Sequence, residues 1–263
     1  MRSLARQSVS AMGGAASVLT LQKRYHVRLD ALLNRLVEAS PGEKKPMLRK
    51  IYRLVFPHAF AEEAVLWPVI RRILPDGHSL TLRVEQEHQR INELVTRLES
   101  LHPAARSHDQ VLDEVISLLR LDVRDEEDEL LPRLQAELSV RQLRLLGIAW
   151  EGVRLFAPTR AHPIVARRPV GNLLSALPLA ILDRSRDFVD ALIDYRPDAA
   201  TTPLRTVSSA LGAAARGVER LPGMRHGEDP STRAGPEPRG GWIFAMTAVV
   251  AASVAVAVAV RRR

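Results

Sequence analysis

Apolar residues recur every three to four positions along four successive stretches of this chain, the spacing expected for one buried face of an α-helix. The stretches run over about residues 17–39, 44–74, 79–101 and 107–138, and segments containing Pro, Gly or Ser separate them. Because these connections are short, consecutive helices are expected to run antiparallel. The pattern therefore predicts an all-α fold, an up-down four-helix bundle over residues 17–140.

The chain beyond the bundle has a different pattern. Proline residues first interrupt any helix, and amphipathic spacing then returns over residues 173–195 and, more weakly, 204–221. Residues 141–221 are therefore predicted to form a helical and irregular extension. Residues 222–241 are rich in Pro, Gly and charge and lack periodicity, which predicts a flexible linker.

The last apolar stretch, residues 242–260, contains no charged residue and is followed by three arginines. As a helix it would extend about 28 Å, close to the thickness of a bilayer core. A buried Val/Ala strand is the alternative, but no sheet is evident elsewhere in the sequence. We therefore predict a single C-terminal transmembrane helix. The bundle is expected on the cytoplasmic side, because no clear secretory signal precedes it.

Composition narrows the possible chemistry. The chain has no Cys, so any metal ion must be held by His and carboxylate side chains. The net charge is +8, with the basic excess outside the predicted bundle. The basic segments lack the interleaved aromatic residues and the recognition motifs that are typical of nucleic-acid-binding modules. No nucleic acid partner is therefore predicted.

Two segments of the predicted bundle repeat one arrangement. In residues 58–68 and 122–132, a first residue, His58 or Asp122, is followed four positions later by a Glu-Glu pair and then by Pro. A lone His on the preceding helix, His26 or His88, lies at nearly the same distance along the chain and among similar neighbours. The first half therefore resembles the second, and each half is predicted to be one helical hairpin.

The repeat indicates a dinuclear metal site. Residues four apart share one helix face, so the first residue of each motif and the first Glu of its pair point the same way. The predicted ligands are His26, His58, Glu62, His88, Asp122 and Glu126. Three imidazoles and three carboxylates suit two iron ions, or manganese, with Glu62 and Glu126 as bridging ligands. Solvated Glu-Glu pairs are the alternative, but the repeated Pro and helix-borne His count against coincidence.

At these residues, over about positions 20–140, the chain resembles the hemerythrin-like, HHE cation-binding family. The family motif has a His on the first helix of each hairpin and His-x-x-x-Glu on the second. The resemblance implies metal-ligand positions for His26, His58, Glu62 and His88, and Glu126 matches the Glu of the second motif. Asp122 departs from the pattern, which has His there.

A carboxylate at position 122 should stabilise the more oxidised metal state, which disfavours reversible oxygen carriage. Glu85 is predicted as an auxiliary group near the metal. Glu63 and Glu127 are expected either beside the ligands or facing solvent, since they lie about 100° around a regular helix. The remaining histidines are predicted on the surface, namely His78, His102, His108, His162 and His226.

Three functions are compatible with these features. The first is a membrane-tethered, non-haem di-iron protein that binds or senses O2, NO, peroxide or iron itself, and is more a sensor than an enzyme. The second is a di-iron or di-manganese enzyme that consumes peroxide or acts as an oxidase. The third is a metal-free membrane adaptor whose residues 157–221 recruit a protein partner.

Overall fold

A computed structural model describes residues 2–195 and 201–234, and every regular element within those two ranges is helical. The chain divides into two compact units, Met1–Leu155 and Phe156–Arg263. The first unit contains the predicted bundle and its repeated motifs. The second contains the two long amphipathic segments that follow.

Four helical rods form the body of the first unit. The helices are α1 (Val18–Glu38), α2 (Pro41–Ala61), α3 (Trp67–Ile73), α4 (Gly77–Ser100), α5 (Arg106–Asp125) and α6 (Leu131–Glu137). A π-helical turn, Glu62–Leu66, joins α2 to α3 in one rod, and a second π turn, Glu126–Leu130, joins α5 to α6. Rods adjacent in sequence pack on each other, and α1 also packs on α5. The predicted all-helical bundle is confirmed.

A further helix, α7 (Val140–Phe156), belongs to the same unit. Its Trp150 is fully buried in one apolar cluster with Trp67, and Leu4 and Met12 of the N-terminal segment enter that cluster too. Gly147 allows this close packing, because a Cβ there would lie 2.2 Å from the carbonyl oxygen of Ala16. The bundle therefore has an outer layer made by α7 and the N-terminal segment.

The second unit is built on α8 (Pro169–Tyr195) and α9 (Thr202–Glu219). Its core includes Leu179, Leu182, Val189, Leu211, Ala214, Ala215 and Val218. Residues 222–234, predicted as part of a flexible linker, form two 3-10 turns, and the carbonyl of Met224 accepts from the backbone N–H of Ala166. Residues 235–241 lie outside the described residues.

The predicted transmembrane helix requires correction. In the described part of the chain, no helix is both long enough and apolar enough to cross a membrane. The longest, α8, has 27 residues but carries Asp183, Arg184, Arg186 and further acidic residues, which are costly inside a bilayer. Residues 242–260, where the span was predicted, lie outside the described residues. The predicted anchor, and the membrane localisation that depended on it, therefore do not stand.

Two of the histidines predicted on the surface are buried. His108 lies inside the first unit, and His162 is enclosed in the second, whereas His78, His102 and His226 are exposed as predicted. Both ring nitrogens of His162 have buried carboxylate partners: Nδ1 lies 2.9 Å from Glu219 Oε1, and Nε2 lies 3.0 Å from Asp183 Oδ2. The second unit is therefore held partly by a buried ionic cluster.

This cluster predicts a pH-dependent stability of the second unit. Burial lowers the pKa of His162, but Asp183 and Glu219 outweigh it and raise the pKa to about 10. A raised pKa in the folded state stabilises fully below the unfolded value of about 6.5, and this contribution is lost as pH rises through the folded value. Protection of α8 and α9 against hydrogen exchange, corrected for intrinsic rates, should fall by up to about tenfold per pH unit in that window.

The matched variants are His162→Gln and His226→Gln. His162→Gln should remove this pH dependence, whereas His226→Gln, a change at an exposed position, should retain it. Equal pH profiles in His162→Gln and the parent protein would exclude His162 as the titrating group.

Candidate metal centre

The two π turns position the repeated Glu-Glu pairs. The N–H of Trp67 donates to the carbonyl of Glu62, five residues earlier, and the N–H of Leu131 donates in the same way to Glu126. The next residue in each rod is Pro, which has no N–H with which to restore the α-helical bond. The wider turn brings both Glu residues of each pair into the bundle interior. All four carboxylates of the two pairs, Glu62, Glu63, Glu126 and Glu127, are buried.

One group of donor atoms comes from His26, His58, Glu62 and Glu126, with one atom of each within 4.8 Å of all the others. His26 Nε2 lies 3.2 Å from His58 Nε2 and 3.3 Å from Glu126 Oε2. His58 Nε2 lies 3.1 Å from Glu62 Oε1. Ligands about 2.1 Å from one ion are themselves roughly 3 Å apart, so this spacing fits a single metal ion.

A second group comes from His88, Asp122 and Glu126, again within 4.8 Å of one another. His88 Nε2 lies 3.4 Å from Asp122 Oδ1 and 3.9 Å from Glu126 Oε1. Glu62 Oε2 is also 3.9 Å from His88 Nε2. The structure thus brings together all six side chains predicted from the sequence, with Glu126 common to both groups and Glu62 close to both.

The second Glu of each pair contacts the imidazole from the other half of the repeat. Glu127 Oε1 lies 2.9 Å from His26 Nδ1, and Glu63 Oε1 lies 3.0 Å from His88 Nδ1. The other ring nitrogen, Nε2, of each imidazole then lies near the remaining candidate ligand atoms of its group. Carboxylates in this position orient a ligating imidazole and increase its basicity. Glu63 and Glu127 therefore lie against the imidazoles and not in solvent.

The charge balance of the groups indicates that a cation belongs between them. Both oxygens of Glu62 and of Glu126, Nε2 of His88 and Oδ1 of Asp122 are buried without a hydrogen-bond partner. Burial raises the pKa of Glu62 to about 8, and burial together with the Glu62 charge raises that of Glu126 to about 8. Desolvated carboxylates without partners are costly, and divalent cations remove that cost. The residues therefore fit a metal ion.

The pKa values of the two imidazoles of the first group are shifted in opposite directions. Burial lowers the pKa of His58 to about 3, assisted by the charge on His26. Burial also disfavours charge on His26, but the neighbouring carboxylates of Glu126 and Glu127 outweigh it and raise the pKa of His26 to about 10. Metal ligation requires neutral imidazole, so binding at this group should release a proton from His26.

Glu85 is not part of either group. It is fully buried, and its Oε1 accepts from Arg71 Nη2 at 2.5 Å. The same guanidinium donates through Nε to Thr81 Oγ1 at 2.8 Å. Glu85 thus contacts Arg71 of α3, whereas the sequence predicts an auxiliary role at the metal.

A small cavity of about 20 Å³ borders the first group and reaches Asp122. Apolar side chains such as Leu54 and Leu119 form most of its remaining wall. This volume accepts roughly one small molecule, because a single water needs about 10–15 Å³. On the side of α7, the ring of Trp150 packs edge-on against His58, with centroids 5.3 Å apart.

The contact between Glu127 and His26 leads to a direct prediction. Glu127→Gln keeps the size of the side chain but removes the carboxylate that holds His26 Nδ1. Affinity for the first metal ion should fall about 10-fold to 100-fold, as when other outer partners of ligating imidazoles are removed. Competition with a chromogenic chelator measures this. Glu129→Gln, on the exposed side of the same π turn, is the control, and equal affinities would contradict the assigned role.

Comparison with known proteins agrees with this geometry. Residues 17–134 match the family described as Hemerythrin HHE cation binding domain. An uncharacterized hemerythrin-like protein of Schizosaccharomyces pombe is 25% identical over 134 residues, which cover 51% of this chain and 66% of that protein. No solved structure matches the chain. The motifs of α1 to α6, the buried His and carboxylate groups and the family match coincide, and residues 17–134 therefore belong to the hemerythrin HHE cation-binding family.

Proposed function

We propose that the bundle holds a non-haem di-iron centre that binds or senses a small molecule, O2, NO or peroxide. The observation that carries the proposal is the shared carboxylate, because Glu126 offers one oxygen to each donor group. One residue common to two adjacent groups of buried donors is the arrangement of a bridged pair of ions. Three imidazoles suit iron, and the three carboxylates leave manganese as the second candidate metal.

Iron would supply an exchangeable coordination position and a change of oxidation state. The protein's own part is to hold the donors in place. Glu127 and Glu63 orient His26 and His88, and the apolar wall of the cavity limits entry to small molecules. The ligand would approach beside His58 and Asp122, where the cavity borders the donor atoms. Iron itself is a further candidate signal, since its binding would neutralise the buried carboxylates.

A di-iron or di-manganese enzyme is the second candidate. It is favoured by Asp122, which makes the donor set richer in oxygen than the family motif. Addition of peroxide to the iron-loaded protein distinguishes the enzyme from the sensor. A spectral change that stops at one equivalent supports binding or sensing, whereas many turnovers per centre support catalysis and contradict the sensor. A metal-free adaptor is disfavoured, because it leaves the carboxylate oxygens of Glu62 and Glu126 buried without hydrogen-bond partners.

Asp122 should set the redox preference of the centre. Asp122→His restores the family motif and replaces an anionic donor by a neutral one, which favours the reduced metal. Neutral His in place of anionic ligands raises the potential of Rieske clusters by hundreds of millivolts, so we expect a rise of about 100 mV here. A redox titration followed by absorbance measures it. Asp128→His, at an exposed position, is the control, and an unchanged or lower potential in Asp122→His would contradict this role.

A further inference from the structure

Helix α8 exposes a continuous row of large apolar side chains. Its members are Val170, Leu174, Leu177, Ile181, Phe188 and Tyr195, and their exposed fractions run from 50% at Val170 to 80% at Tyr195. The opposite face of the same helix is buried against α9. Contiguous apolar surface of this extent on a folded unit marks an interaction site. We call these six residues the α8 row.

The spacing of the α8 row is that of a coiled coil. Leu174, Ile181, Phe188 and Tyr195 follow one another at intervals of seven residues. A second series with the same interval contains Val170, Leu177, Arg184 and Ala191, all of them exposed. The first series occupies the a positions of a heptad repeat, and the second series occupies the d positions. Such a repeat keeps one side of the helix, the seam, facing a helical partner. Pro178 lies beside the seam, and the same positions remain exposed on both sides of it.

We propose that the α8 row pairs with the α8 row of a second copy of this chain, in antiparallel orientation about a two-fold axis. A helical seam with a heptad repeat requires a helix as its partner, and the row is complementary to itself in this orientation. Each a residue then shares a layer with a d residue of the other copy. Leu174 meets Ala191, Phe188 meets Leu177, and Tyr195 meets Val170, so large side chains face equal or smaller ones.

Arg184 selects the antiparallel orientation. In a parallel pair the two Arg184 side chains would occupy one layer, and like charges would face each other. In the antiparallel pair Arg184 shares a layer with Ile181 of the other copy. Its aliphatic stem can cover that side chain while the guanidinium stays at the edge, where Nη2 donates to the carbonyl of Ala157 within its own unit at 3.3 Å.

Sedimentation equilibrium of the full chain tests the interface. We expect a dimer in which Phe188→Glu weakens association at least about 100-fold, since a buried charge replaces the largest residue of the central layers. Ile148→Glu, at an exposed apolar position of α7, is the matched control and should leave the dimer unchanged. A monomeric parent at tens of micromolar, a dimer insensitive to Phe188→Glu, or equal loss in the control would each overturn the proposal.

Disulfide trapping tests the orientation, and the absence of native Cys makes it clean. Leu177→Cys mixed with Phe188→Cys should give cross-linked dimers on mild oxidation, because these positions share a layer. Neither variant alone should cross-link efficiently. Efficient cross-links in each variant alone, with no disulfide between positions 177 and 188 in the mixture, would indicate a parallel pair. No cross-link at all would indicate another occupant of the α8 row, and both results contradict the antiparallel dimer.

Discussion

Glu126→Gln is expected to abolish binding of both metal ions. In the parent protein, Glu126 Oε2 lies 3.3 Å from His26 Nε2, and Glu126 Oε1 lies 3.9 Å from His88 Nε2. Each donor group therefore loses an anionic ligand through this one substitution. The amide that replaces it is neutral and has only one oxygen. His58→Ala, by contrast, removes a ligand from the first group only and should leave the second ion bound. Metal analysis after reconstitution and desalting measures the difference.

Glu129→Gln is the control for Glu126→Gln. It makes the same chemical change on the same π turn but at an exposed position, so metal content should equal that of the parent. Helical content by circular dichroism shows that each variant is folded. Retention of both ions by folded Glu126→Gln would exclude Glu126 as a shared ligand.

Removal of metal is expected to destabilise the first unit strongly. The buried oxygens of Glu62 and Glu126 lack hydrogen-bond partners, and the cations would provide their compensation. At free metal a thousandfold above the dissociation constant, each ion adds about 4 kcal/mol to the free energy of unfolding. For a unit of this size that corresponds to a rise of roughly 10 °C or more in melting temperature. Thermal melts with anaerobic Fe(II) and with chelator measure it.

The chain offers two controls for this stabilisation. Hydrogen exchange of α8 and α9 in the second unit should not respond to iron, because the six candidate ligands all belong to the first unit. The double variant His58→Ala with Glu126→Ala should melt at the same temperature with and without iron. Identical melts of the parent protein in iron and in chelator would show that metal does not contribute to its fold.

The candidate ligands could be predicted from the sequence because their arrangement is local and repeated. Helical periodicity alone puts His58 and Glu62 on one face, and the second copy of the motif identifies Asp122 and Glu126 in the same way. His88 follows from the alignment of the two halves. What the repeat could not provide is the π turn, since a regular helix would direct the second Glu of each pair away from the ligands.

Features that depend on contacts between distant segments were not predictable. Trp150 lies on α7, outside the repeat, and only the folded core shows that it packs on His58. His162 is in a Pro-rich stretch without periodicity, and its burial depends on Asp183 and Glu219, which are far along the chain. Apolar length alone suggested a membrane span at residues 242–260, and no helix in the described ranges has that character.

The most direct measurement is the iron content of the full chain after anaerobic reconstitution, together with its absorption spectrum after oxidation. Two side-by-side groups that share Glu126 predict two iron ions per chain and the near-ultraviolet charge-transfer bands of a bridged ferric pair. Folded protein that retains no iron, and shows no such bands, would contradict the di-iron centre.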